Sequence, residues 1–204
     1  ASASPAIQVT ARVSNNSHAL YNETGQSFTM ASLASSGGGV SVSALTPAAA
    51  NTSHFLYGWN IESRAGRIDF FTNGVSDWNS DQARAFGAGG ASEISSSSAD
   101  IFITTQALPD STVNTLSKIS TSGLVSFQPA GSTFTGATRL RFSVDAGSFL
   151  VGTSSAVANY TSTFNLDRPV VVSADAEIYA NAVTVNSAAA VSYTHLTLPT
   201  IYSV

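Results

Sequence analysis

Three oxygen-bearing side chains stand at alternate positions in the stretch DWNSDQARAFGA (77–88): Asp77, Asn79 and Asp81. A D-x-N-x-D spacing lets alternate side-chain oxygens converge on one hard cation, and calcium is the ion that takes such a ligand set. The second half of the loop departs from the EF-hand pattern. Gln82 occupies the sixth position, where the sharp turn wants glycine, and Ala88 the twelfth, where a bidentate Glu belongs. Glu93 is placed to close a loop of a different type. The plainer expectation is an Asp/Asn-rich turn, bonded to its own backbone, that leads into a short helix over 80–86. A calcium site is the alternative.

Aromatic residues form the second group. In HFLYGWNI (54–61) the two-residue period of a strand puts Phe55, Tyr57, Trp59 and Ile61 on one face, where Tyr57 and Trp59 could stack on a sugar ring. Four large residues on one face also describe a core-facing strand, which is the expectation for most of this run. Trp78, flanked by Asp77 and Asn79, is expected at the surface and is the preferred ligand-contacting aromatic, with Tyr57 and Trp59 beside it.

Other chemistries find little support. Glycoside hydrolysis needs two carboxylates across a cleft, and Glu62, Asp69, Glu93, Asp145, Asp175 and Glu177 are too dispersed to nominate a pair. Serine hydrolase, HExxH, P-loop and dinucleotide signatures do not occur, GAGGAS (87–92) breaking the glycine pattern of the last. Four N-x-S/T sequons begin at Asn15, Asn22, Asn51 and Asn159, about as many as a Ser/Thr-rich chain supplies by chance. No catalytic residue is nominated and no enzyme is expected.

The elements that would position these groups read as strands. IQVTARV (7–13), VSVSAL (40–45), RIDFFT (67–72), DIFITT (100–105), LVSF (124–127), RLRFSV (139–144), PVVVSA (169–174) and AEIYANAVTV (176–185) alternate or are rich in β-branched residues, and turn residues bound them. Asn73-Gly74 is the strongest hairpin cue. No fixed period of the kind that marks solenoids and propellers stands out. The expected fold is all-β: a single antiparallel β-sandwich, jelly-roll-like, with at most one short helix.

Composition narrows the partners. Charged residues are 10% of the chain against a usual value of about 25%, and hydrophobic residues are 43%. The surface must then be built largely of hydroxyl and amide side chains. A net charge of −4, with Lys118 as the single lysine, offers no basic stripe for nucleic acid. The absence of cysteine removes disulfide, thiolate-metal and thiol chemistry, and no apolar run reaches the length of a membrane span. ASASPA (1–6) resembles the residue of an A-x-A signal cleavage.

The last stretch, VSYTHLTLPTIYSV (191–204), changes texture abruptly and resembles a translated sequencing-library adapter. Residues 1–190 are therefore expected to form the domain, truncated at its C-terminus, and 191–204 to be a non-native tail. Within the domain, STFNLDRPVVVSADAEIYANAVTVNSAAA (162–190), which follows TRLRFSVDAGSFLVG, resembles the final strands of PEP-CTERM-type exported bacterial surface proteins. That resemblance implies export and a role in surface or matrix material, and assigns no site residues. The functional expectation is a secreted, non-enzymatic surface or extracellular-matrix protein that binds exopolysaccharide or self-assembles. The alternatives are a carbohydrate-binding module, calcium-stabilised through Asp77, Asn79 and Asp81, and a glycan-active enzyme.

Overall fold

The structure is a computed structural model that describes residues 6–13, 17–21, 31–35, 37–48, 52–57, 59–77, 92–108, 116–135, 138–152, 163–186, 191–192 and 195–197. The described strands fall into successive coils that visit three faces in a constant cyclic order. The first coil is β1 (Ile7–Arg12), β2 (Ser17–Tyr21) and β3 (Ala31–Ser35); the second is β4 (Val40–Leu45), β5 (Thr52–Tyr57) and β6 (Trp59–Ser63). The third is β7 (Ile68–Thr72), β8 (Val75–Asp77) and β9 (Ser92–Ser96), after which β10 (Ile101–Thr105) opens the fourth. Two long strands, β11 (Leu116–Pro129) and β13 (Ser143–Val151), each cover the third face of one coil and the first face of the next, with β12 (Thr138–Leu140) between them on the second face. The chain continues through β14 (Thr163–Leu166), β15 (Val170–Val172), β16 (Asp175–Ile178), β17 (Ala182–Val185), β18 (Val191–Ser192) and β19 (His195–Thr197).

Each strand pairs with its counterpart one coil away, and all pairings among the described residues are parallel. This is a parallel β-helix, and it overturns the expected antiparallel jelly-roll sandwich. Parallel neighbours need a long crossover connection. Here the crossover is the remainder of the coil, two strands and three corners, so no helix is required, and none occurs among the described residues. The 80–86 segment lies outside them.

Asn73-Gly74 is likewise a corner, not a hairpin. It joins β7 to β8, which belong to different faces and do not pair with each other. The Asn73 side chain binds the corner of the preceding coil at both ends: Oδ1 accepts from Thr46 N at 2.8 Å and Nδ2 donates to the Thr46 carbonyl at 2.8 Å. A repeat is present after all, but its length is uneven. Ile7, Val40, Ile68, Ile101, Val125 and Phe149 are equivalent positions, and the coils closed by Val125 and Phe149 are the shortest of the series.

The core follows from that register. Because side chains alternate across a strand, the equivalent positions starting at Val40 form one buried column. Val42, Phe70, Ile103, Phe127 and Val151 form the next, each 1% exposed or less. Phe127 meets Phe149 edge-on and Phe142 at a tilt, both with ring centroids 6.0 Å apart. Burying a side chain of this size contributes about 1.5–3 kcal/mol, and stacking like upon like repeats that gain at every coil.

Corners between the third and first faces carry a polar ladder. Ser35, Ser63, Ser96 and Thr121 are buried hydroxyls at the ends of third-face strands. Each accepts a backbone N–H from its own turn, from Gly38, Gly66, Ala99 and Gly123 respectively, at 2.9–3.1 Å. Ser63 also donates to the Gly38 carbonyl and Thr121 to the Ala99 carbonyl of the preceding coil. At another corner Asp167, 16% exposed, receives both Arg139 Nη1 contacts (2.9 and 3.2 Å), lies 3.7 Å from Arg141 Nε, and accepts from Asn186 Nδ2.

Candidate functional site

Side chains that alternate inward must alternate outward too, and on the third face the outward column reads Glu62, Ser95, Ser120, Asp145, Val171. Beside it, where β11 and β13 pass round the corner, lies an open groove of about 350 Å³. Five hydroxyl side chains line it, those of Ser96, Ser120, Thr121, Ser122 and Ser173, together with Asp145, Ala146, Gly147 and Val171. A Cβ on Gly147 would run into the backbone of Ser122 and Gly123, so glycine is what lets the two coils close up at the groove floor.

The groove is held by strands on both sides, and its polar groups are partly committed. Ser122 Oγ donates to the Ser97 carbonyl at 2.7 Å. Asp145 Oδ2 receives Lys118 Nζ at 3.0 Å, an exposed pair worth less than about 1 kcal/mol to stability. The carboxylate therefore keeps lone pairs for a ligand, and the serines supply donors and acceptors without charge. Val171, 46% exposed, adds an apolar rim. Such a surface hydrogen-bonds to hydroxylated compounds.

A second polar-aromatic patch lies on the first face. Arg67 sits over the Phe102 ring, 3.7 Å from its centroid, and its Nε donates to Asp69 at 2.6 Å. On the same face, in the last coils, the Tyr179 O–H donates to Glu177 Oε2 at 2.8 Å. That bond holds the phenol above its ordinary value of 10.0, and burial and the Glu177 charge push the same way.

The described lining of the groove comes from residues other than those singled out from sequence. Trp78, Asn79 and Asp81 lie outside the described residues. Asp77 is the last residue of β8, in register with His54. Tyr57 ends β5 in register with Tyr21, whereas Trp59 begins β6 in register with Ala31. The expected single strand over 54–61 is thus two strands on two faces, with Tyr57 ending one and Trp59 beginning the other. Trp59 falls on the strand face of Ile61 and Ser63, both fully buried. Sequence reading missed Ser120, Ser122, Asp145 and Ser173 because they lie roughly one coil apart in a chain full of serine. The usable signal was glycine interrupting a strand pattern, Gly123 just after Ser122 and Gly147 two residues after Asp145.

Comparison with protein-family models, with curated proteins and with solved structures finds no match. No helix among the described residues is long and apolar enough to cross a membrane. Among the residues whose side chains are described, His, Asp and Glu form no group of three that could hold a metal ion.

Proposed function

We propose that this chain is a non-catalytic, exported surface or matrix component that binds polysaccharide along the third face of its β-helix. The groove carries the reading: Ser120, Ser122 and Ser173 with the Asp145 carboxylate, on strands that are fixed by backbone bonds to the coils on either side. Rigid placement lowers the ordering cost of binding, and an uncharged hydroxyl surface holds hydroxyl-rich chains at any salt concentration. The chain's low charge, 10%, and its Ser/Thr-rich texture support an extracellular setting.

Affinity electrophoresis through gels containing neutral or acidic polysaccharides tests this. At least one polysaccharide should retard the chain, and both Asp145→Ala and the groove-filling Ser173→Phe should weaken the retardation. Gln8→Phe, on the exposed side of β1, should leave it unchanged. A chain that migrates freely through every polysaccharide, or Asp145→Ala and Ser173→Phe variants retarded as strongly as the parent, overturns the reading.

A further inference from the structure

The second face brings together residues far apart in sequence. Strands β2, β5 and β8 are parallel and adjacent, with His18 opposite His54 and His54 opposite Asp77. Three successive coils therefore place histidine, histidine and aspartate at one register position, neighbouring backbones being about 4.8 Å apart. The face is set by alternation. Ala19 packs against the core, so His18 falls on the other face of β2, and the register places His54 and Asp77 on the same face as His18. His18 and His54 are two of the three histidines in the chain.

We propose that His18, His54 and Asp77, brought to one register position of the second face, form a binding site for a borderline divalent metal ion such as Zn²⁺. Two imidazoles and one carboxylate are an established ligand set for such ions, leaving an open coordination position. Calcium, an oxygen-seeking ion, is not matched by imidazole. A bound ion would tie three coils together in addition to their backbone ladder, and the site goes beyond the polysaccharide reading because it lies on another face. Sequence spacing conceals it: each ligand comes from a different coil, and only the coil register joins them.

Titration of the untagged full chain with Co²⁺ alone, read by visible absorption and calorimetry, decides the matter. One equivalent should bind and be displaced by Zn²⁺. His18→Gln, His54→Gln and the nearly isosteric Asp77→Asn should each weaken binding by more than about 10-fold, the loss that even an outer-shell change brings. His195→Gln, on β19, should not change it. Far-UV circular dichroism without metal shows that the variants keep their strands, and Asp77→Asn is the substitution least able to disturb them. Absence of saturable Co²⁺ uptake, uptake unaltered in His54→Gln and Asp77→Asn, or uptake abolished by His195→Gln overturns the site. So does saturable Ca²⁺ uptake that needs Asp77 but not His54, which would return Asp77 to a loop with Asn79 and Asp81.

Discussion

The same corner is built in two ways in the early coils and in the two coils that follow them. Between the third and first faces, the early coils break the strand after Ser35, Ser63 and Ser96 and insert a turn, with a buried hydroxyl bracing each one. The next two coils do not break it, whereas the one after them breaks it again between β15 and β16. β11 and β13 run through the corner, with only a register shift between Thr121 and Leu124, and the position equivalent to Thr121 is Ala146. The coils themselves shorten at the same place: the steps from Ile7 to Val40, to Ile68 and to Ile101 are each longer than those from Ile101 to Val125 and on to Phe149. A corner can therefore turn between two strands on hydroxyl bonds or run through as one strand, and a glycine at close backbone contact serves both, Gly66 in the first and Gly147 in the second. Thr121 stands at the changeover, keeping the hydroxyl bonds while its strand already runs on.

The largest effect belongs to the run-through corner. Gly147→Val puts a branched side chain into the Ser122 backbone and should cost about 3 kcal/mol or more, because backbone atoms cannot move aside as a side-chain tip can. Chemical denaturation would measure it, and a change of under about 1 kcal/mol, roughly the level of an ordinary surface substitution, would show that the corner has slack. Next comes Ser63→Ala in the polar corner. It strips partners from Gly66 N and the Gly38 carbonyl and should cost about 1–3 kcal/mol.

The reciprocal change, Ala146→Ser, is expected to destabilise by about 1 kcal/mol, since a hydroxyl buried at a corner without a turn lacks the partner that its equivalents have. Stabilisation in that variant would mean that the two corners are interchangeable. The smallest effect is electrostatic. The neutral Tyr179 is favoured in the folded chain, so its contribution is fully present below pH 10.0 and is lost as pH rises through its raised value. Ultraviolet titration should show one late phenolate that Tyr179→Phe removes, and the variant should be the less sensitive to alkali.

Much of the strand placement was legible because it depends on local alternation. VSVSAL reads correctly since Val40 and Val42 are buried and alternate with serines, and DIFITT since its β-branched Ile101 and Ile103 are buried, Phe102 between them lying under Arg67. Pairing was not legible. An alternating strand looks the same whether its partner is antiparallel and adjacent or parallel and a coil away, and Asn73-Gly74 serves a corner as readily as a hairpin. Unequal coil lengths also blur the repeat that would have announced the fold. AEIYANAVTV read as one strand but is β16 and β17, split between Ile178 and Ala182 by a corner that its small residues do not mark. For the groove and the histidine column the obstacle is the same: their members meet only through register, so no local motif could reveal them.

The uneven coil lengths have a geometric meaning of their own. The long coil from Ile68 to Ile101 and the short one from Ile101 to Val125 both advance the stack by a single strand spacing, about 4.8 Å. The extent of the molecule along its axis is thus counted in turns, not in residues. Chain inserted or removed at a corner alters the girth there and leaves the distance between any two rungs as it was, so the outward positions of the third face keep their pitch however the corners drift.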